Sequence, residues 1–86
     1  AAAADYTRAI ELGGNFMDYQ RRGDVYKKLK NFNRAIDDYT RSIELIGQKN
    51  SLLAWIYRKR GECYQALGDN SHAQADFKHF EELQRK

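Results

Sequence analysis

The sequence lacks proline altogether, has a single cysteine and contains no long apolar run. One cysteine, Cys63, cannot close an intrachain disulfide, which excludes a disulfide-stapled scaffold. No apolar stretch reaches the roughly 18 residues that a membrane-spanning helix requires, and no signal peptide is visible. We therefore expect no membrane partner and a cytoplasmic location. We interpret the start at Ala1 without methionine as the beginning of a fragment.

The chain also has little excess of positive over negative charge, with a net charge of only +3 over 86 residues. That excess is too small to indicate nucleic-acid binding by itself. Apolar residues (42%) and charged residues (31%) are both abundant, which is typical of a globular chain rather than a disordered one. Since proline is absent and most polar residues are good helix formers, the composition favours helices over strands.

An internal repeat organises the chain. Residues 19–26 (Tyr-Gln-Arg-Arg-Gly-Asp-Val-Tyr) align with residues 57–64 (Tyr-Arg-Lys-Arg-Gly-Glu-Cys-Tyr), and their glycines lie 38 residues apart (61 − 23). Nine residues after its last tyrosine, each copy continues with an Ala-x₃-aromatic pattern. Residues 5–12 match residues 38–45 at seven of eight positions. The chain therefore begins at the second helix of one repeat and continues through two complete repeats.

The spacing of apolar residues predicts five helices, at about 2–12, 16–30, 32–46, 52–67 and 71–84. Clusters of Gly, Asn and Lys separate them. Either Asn50 or Ser51 is expected to cap the fourth helix, and Ser71 with Gln74 resembles a capping box at the start of the fifth.

The repeat resembles the tetratricopeptide repeat, a helix–turn–helix unit of roughly 34 residues with the pattern Trp-x₂-Leu-Gly-x₂-Tyr…Ala-x₃-Phe…Pro. Tyrosine stands at the Trp position of both complete copies, and Gly, Tyr, Ala and a second aromatic follow at the family's spacing. The resemblance assigns a structural packing role to Tyr19, Gly23, Tyr26, Ala35, Tyr39, Tyr57, Gly61, Tyr64, Ala73 and Phe77. We expect the aromatic members of this set to form the core.

The sequence departs from the family pattern in three places. The terminal Pro is absent, with Gly47 near its place, and four extra residues (38 − 34) fall around residues 48–53. They either lengthen the loop or start the fourth helix a turn early. Arg22 and Arg60 occupy the Leu position, as in an Arg-Gly…Asp-Tyr-x-x-Ala-Ile-Glu-Leu subclass that the sequence resembles.

Those two arginines predict ion pairs, because a lone charge on a normally apolar face is costly. We expect a ladder between repeats that fixes their register. Its members would be Arg22 with Asp5 or Asp38, and Arg60 with Asp38 or Asp76.

The resemblance implies an all-α fold, an α-solenoid of antiparallel helix pairs wound as a right-handed superhelix. Residues 1–86 would form a single module. Within it, residues 1–12 would be the second helix of a truncated repeat, 16–47 one repeat and 52–86 a C-terminal repeat. The first helix of each pair would line a concave face.

No arrangement of residues indicates catalysis, since the carboxylates are scattered and no Ser/His/Asp set or phosphate-binding loop can be proposed. Two histidines, His72 and His79, are too few for a metal site and are expected to be solvated. Cys63 replaces Val25 of the earlier copy and is expected to be a small buried residue. We therefore expect no enzyme activity, no cofactor, no metal and no small-molecule substrate.

Family resemblance instead implies a scaffold that binds a protein or peptide partner on the concave face. The positions that map to this face are Met17, Gln20, Asp24, Lys27, Lys28, Trp55, Arg58, Glu62 and Gln65. Trp55 is either an exposed anchor or a cover for the loop insertion or for the second helix of the preceding pair.

Co-chaperones of this family clamp a C-terminal carboxylate with Lys and Asn, and that clamp is not reproduced here. The matching positions carry Gln20, Arg21, Asp24 and Lys59, with Trp55 where a Lys would be needed. An acidic or mixed-charge peptide remains open.

Two alternatives belong to other classes: an RNA-binding helical-repeat array, and a structural or oligomerisation segment of a larger protein. RNA binding would need a basic stripe. Charges along the predicted face instead alternate in sign, as in Asp24 beside Lys27, which argues against nucleic acid.

The two ends of the chain carry their own predictions. Ile36 and Ile43 should face the next repeat, and their later equivalents are the polar Gln74 and Glu81, so we expect the array to end here. At the other end, Ala2, Tyr6 and Ala9 lack the helix that would precede them. Either self-association through helix 1–12 at Tyr6 or low hydrogen-exchange protection of residues 1–12 is expected.

Overall fold

The computed structural model describes residues 2–47 and 50–85 of the chain, without the side chain of Ala2. This part consists of five helices and has no strand. They are α1 (Ala2–Glu11), α2 (Phe16–Lys28), α3 (Phe32–Ile46), α4 (Leu52–Ala66) and α5 (Asn70–Gln84). The five predicted helices are confirmed, and each boundary lies within two residues of its expected place.

Each helix packs against its neighbours in the chain, and the pairs α2–α3 and α4–α5 have the most extensive contacts. Stacking of sequential neighbours makes a flat molecule of 34 × 30 × 14 Å. The expected all-α solenoid is therefore confirmed. Every helix of the described residues is too short or too polar to cross a bilayer.

Two helix starts differ from expectation. The predicted capping box of Ser71 with Gln74 is wrong, because α5 begins earlier and the Asp69 carboxylate accepts the hydrogen bond from the His72 backbone N–H (3.3 Å). A capping box does occur at α2, where Asn15 and Asp18 bond each other's backbone N–H groups. Ahead of α4, the Asn50 side chain accepts a bond from the Leu52 N–H (2.9 Å).

Glycine allows the two helices of each complete pair to approach closely. A Cβ added to Gly23 would lie 2.9 Å from the Tyr39 ring, and one added to Gly61 would lie 2.8 Å from the Phe77 ring. Both glycines are therefore at the interhelical contact, as the resemblance implied. Ala35, Ala73 and Tyr39 are buried with them.

The expectation that all six repeat aromatics form the core is wrong in part. Only Tyr39 is fully buried; Tyr19, Tyr26, Tyr57, Tyr64 and Phe77 are half-buried. Phe77 packs at the Gly61 contact and Tyr26 against the core cluster, but a molecule only 14 Å thick leaves all five side chains partly exposed. The buried apolar residues of α4 and α5 are smaller than tyrosine and include Cys63. The expected burial of Cys63 is therefore confirmed.

Both predicted arginine ion pairs occur, but each lies within a repeat. Arg22 donates two bonds to Asp38 (2.8 Å each), and Arg60 donates two to Asp76 (2.9 and 2.8 Å). The carboxylates are almost completely buried, and these hydrogen bonds raise the pKa of both guanidiniums. The prediction that these arginines form an ion-pair ladder between repeats is therefore wrong. The antiparallel helices of one pair bring Arg and Asp face to face.

These two arginines bond the preceding repeat only through the third nitrogen of each guanidinium, Nη1. Arg22 Nη1 donates to Thr7 Oγ1 (3.0 Å) and Arg60 Nη1 to Thr40 Oγ1 (3.1 Å). Each arginine thus joins its own pair to the preceding helix through a neutral hydroxyl.

At the ends of the stack, Gln74 and Glu81 are exposed, while Ile36 and Ile43 are partly buried on the α3 side that meets α4. Helix α1 packs on α2. Tyr6 and Ala9 are half-buried, whereas the Ala2 side chain lies outside the described residues. The end of the array, self-association and fast exchange of residues 1–12 stay predictions.

Candidate functional site

The first helices of the two complete pairs, α2 and α4, lie side by side and exchange ion pairs. Lys27 Nζ on α2 bonds Glu62 Oε1 on α4 (2.6 Å). Lys59 Nζ on α4 bonds Asp24 Oδ2 on α2 (3.1 Å). We call the surface around these pairs the α2/α4 face. Each helix contributes one lysine and one carboxylate, so the pairs neutralise one another across the boundary between repeats.

Asp24 accepts hydrogen bonds from three side chains of this cluster. Besides Lys59, it accepts a hydrogen bond from Gln20 Nε2 (3.2 Å) and one from the buried Tyr39 hydroxyl (2.5 Å). Burial, together with the bond to Asp24, raises the pKa of Tyr39, so its hydroxyl stays protonated and donating. The core of the first pair is thereby connected to the α2/α4 face.

Trp55 lies on the same face and is 45% exposed. Its ring meets the Phe80 ring edge-on, with 5.1 Å between centroids. The Arg58 guanidinium lies over both rings, 5.7 Å from the centre of Trp55 and 5.3 Å from that of Phe80. Trp55 is therefore partly exposed and packs on the second helix of its own pair. Its role as an anchor stays a prediction, and part of the loop that it was alternatively expected to cover (residues 48–49) lies outside the described residues.

Beside Trp55 the face contains a notch. Its volume is about 250 Å³, and it is lined by Gln20, Leu52, Trp55, Ile56 and Lys59. Leu52 is 39% exposed, although leucine is usually buried. The notch places an apolar surface directly against the charged cluster.

Five of the nine predicted partner-binding residues belong to the bonded cluster: Gln20, Asp24, Lys27, Arg58 and Glu62. Trp55 joins them through Arg58. Met17 is half-buried, and Lys28 and Gln65 are exposed outside the cluster.

Sequence reasoning missed Leu52 and Ile56 and gave Lys59 no place on the binding face. Because α4 starts at Leu52, these residues share the face with Trp55 at intervals of three, four and seven. The same spacing is visible in the sequence and could have found them.

Among the described residues, few features of this face suggest a metal site, a reactive thiol or a catalytic histidine. No group of three His, Cys, Asp or Glu side chains there could hold a metal ion. The Cys63 thiol is fully buried, and that burial raises its pKa to about 11. His72 and His79 are exposed and stack on tyrosines of α4, away from the charged cluster.

Comparison with known proteins gives a family and two relatives. The model of the tetratricopeptide repeat family matches residues 16–86. Hsc70-interacting proteins 1 and 2 of Drosophila melanogaster are each 41% identical over 78 residues, which cover 90% of this chain and 20% of theirs. The chain thus spans about a fifth of the length of these relatives. A search of the solved structures found no match. With its paired helices, close glycine contacts and matching family model, this chain belongs to the tetratricopeptide repeat family.

Proposed function

We propose that the α2/α4 face is the concave surface of this module and that it binds a protein partner without catalysing a reaction. One observation carries the proposal: charged pairs that join two repeats lie directly beside exposed Leu52 and Trp55. Apolar side chains surrounded by polar groups are typical of protein-binding surfaces. Residues of both repeats are brought together, so the surface depends on the repeats being stacked.

The partner that we propose is a chaperone of the Hsc70 kind. The support is the name of the two fly relatives, which describes them as interacting with Hsc70. Contact through a terminal carboxylate is not expected, since Lys59 already bonds Asp24 and Trp55 occupies a clamp position. We expect an internal segment or a folded surface of the chaperone to bind instead.

RNA binding is the second candidate, and it finds less support. An RNA surface requires cations that are free to meet phosphates. On the α2/α4 face, Lys27 and Lys59 each bond a carboxylate of the neighbouring repeat. Replacing those bonds with phosphate contacts would leave Asp24 and Glu62 repelling the RNA.

Blocking the face tests the proposal. Lys28→Cys places a reactive thiol at an exposed predicted partner-binding position on α2, and Lys78→Cys places one at an exposed position on α5. Native Cys63 is buried and reacts slowly, so a maleimide-linked polymer marks the introduced thiol. Binding of purified Hsc70 is then measured by isothermal titration calorimetry.

We expect the polymer at residue 28 to weaken Hsc70 binding at least about tenfold, equivalent to 1.4 kcal/mol. The same polymer at residue 78 should leave the affinity unchanged. Equal loss at both positions, or no binding of Hsc70 by the unmodified chain, would reject the proposed function.

A further inference from the structure

The notch on the α2/α4 face has polar lining groups that are already bonded. Of its lining residues, Gln20 and Lys59 are polar, and both donate to the same oxygen, Asp24 Oδ2 (3.2 and 3.1 Å). An acidic ligand that approached Lys59 would lie beside the Asp24 carboxylate, which would repel it. The charge distribution therefore disfavours a carboxylate in the notch and leaves its apolar side available.

That apolar side is held in place by its surroundings. Leu52 and Trp55 lie one turn apart on α4, and Ile56 forms the buried floor. Phe80 packs against the Trp55 ring, and Arg58 covers both rings. Trp55 can thus contact a ligand without ordering a free side chain, which lowers the entropic cost of binding.

The size of the notch limits its occupant. A volume of about 250 Å³ is below the range of about 300–1,000 Å³ for sites that enclose a small-molecule ligand. It suits one side chain projecting from a chain that continues across the face.

We propose that this notch is the specificity pocket of the module and takes one large, uncharged apolar side chain from an internal segment of the partner. The proposal rests on the proposed function, because it assumes that a partner covers the α2/α4 face. The Lys59–Asp24 pair would then disfavour charged side chains in the notch, since an acidic group would meet Asp24 and a basic group would meet Lys59.

A peptide library provides the test. Random segments are displayed internally, with both ends joined to carrier protein so that no free carboxylate is offered, and are selected on the chain. Enriched peptides are synthesised with acetylated and amidated ends. Their affinities follow from the emission of Trp55, the single tryptophan of the chain.

We expect the enriched sequences to share one leucine, isoleucine, methionine or phenylalanine and no acidic consensus. Trp55→Ala, followed by calorimetry, should weaken their binding at least tenfold. Leu52→Ala should weaken it about threefold or more, whereas the matched Leu67→Ala, at a leucine exposed outside the notch, should not. Circular dichroism shows whether the variants stay folded, and exposed Leu52 supplies the result if Trp55→Ala does not fold.

The salt dependence of the peptide affinities tests separately whether the contact is apolar. An apolar contact should change affinity less than about twofold between roughly 0.05 and 0.5 M salt, because screening acts on charges. An acidic consensus with steep salt dependence would overturn the proposal, as would affinities insensitive to both Trp55→Ala and Leu52→Ala. If the library yields no apolar consensus while polymer at residue 28 still blocks Hsc70, the pocket is wrong and the proposed function stands.

Discussion

The pairs α2–α3 and α4–α5 cover equivalent tyrosines with different side chains. In α4–α5 the covers are imidazoles: His72 stacks on Tyr64 at 4.9 Å between centroids and His79 stacks on Tyr57 at 4.7 Å. The ring planes are inclined by only 26° and 25°. Both histidines were expected to be simply solvated; they are exposed, but each also shields an aromatic ring.

Arginines take these places in α2–α3, at positions 38 residues earlier. The Arg34 guanidinium lies 5.8 Å from the centre of the Tyr26 ring. Arg41 bonds Glu44 (3.2 Å), and the pKa of its guanidinium is raised by hydrogen bonding, first to Glu44 and then to Tyr19. At equivalent tyrosines, an imidazole packs on the ring in one pair and a guanidinium in the other, so the two groups can replace each other at this position.

A second difference concerns the second-helix aromatic. Tyr39 in the first pair is fully buried and bonds Asp24, whereas Phe77 in the second pair is half-buried and has no hydroxyl. Helix α4 packs on the α3 side of the first pair, which explains the burial of Tyr39. The Tyr39 hydroxyl therefore connects the core of the first pair to the α2/α4 face, and Phe77 makes no equivalent bond.

The largest effect should come from the feature that both pairs share. Arg60→Ala leaves the buried Asp76 carboxylate unpaired, and Arg22→Ala does the same to Asp38. Each change should lower the free energy of unfolding by about 3 kcal/mol or more. Urea denaturation measures it, with Arg21→Ala, at an exposed arginine, as the control. A loss below about 1 kcal/mol in either variant would mean that the pair is not structurally required.

The next largest effects should come from the glycine contacts, where the two pairs are expected to differ. Gly61→Leu overpacks against Phe77 and should cost about 1–3 kcal/mol or more. Gly23→Leu should cost more than Gly61→Leu, because the Tyr39 ring that it meets is enclosed and bonded, while Phe77 can move toward solvent. Thermal unfolding of both variants checks the order. An unchanged melting temperature for Gly61→Leu would remove this glycine from the interhelical contact.

Helix positions and pair contacts were predictable because they depend on local spacing. Gly23 and Gly61 met their aromatics as the repeat implied, and Asp38 and Asp76 were among the expected partners of the arginines. These interactions are fixed by two adjacent antiparallel helices, whose pattern is contained in one repeat.

The bonds between repeats were not predictable, since they depend on how one pair is rotated against the next. Lys59 reaches Asp24 only at the observed α2–α4 arrangement, and the same holds for Lys27 with Glu62.

Removing one hydroxyl tests the connection between core and face. Tyr39→Phe deletes the bond to the Asp24 carboxylate and should cost about 1.5 kcal/mol, the lower end of the range for a hydrogen bond to a charged group. The reciprocal Phe77→Tyr should change stability little, since that ring is half-buried and can expose a hydroxyl. Chemical denaturation of both variants gives the comparison. If Phe77→Tyr is the more harmful change, the two pairs have been assigned the wrong roles.

The smallest effect concerns Cys63, whose equivalent in the first pair is Val25. Burial raises the thiol pKa from 9.0 to about 11, so the unfolded chain loses this proton at lower pH than the folded one. Stability contributed by the thiol should therefore fall as pH rises from 9.0 toward about 11. Cys63→Val should show a shallower decline in denaturation midpoint across that interval. Identical pH profiles would contradict the burial argument.

Cross-saturation NMR can show whether a partner covers the α2/α4 face, as we propose. Hsc70 is irradiated in complex with the isotope-labelled chain, and signal loss marks the contacting residues. We predict the strongest losses at the Trp55 indole, Leu52 and Gln20, with little change at Lys78 on α5. Losses confined to the outer surfaces of α3 and α5, with the Trp55 signal unchanged, would contradict the account.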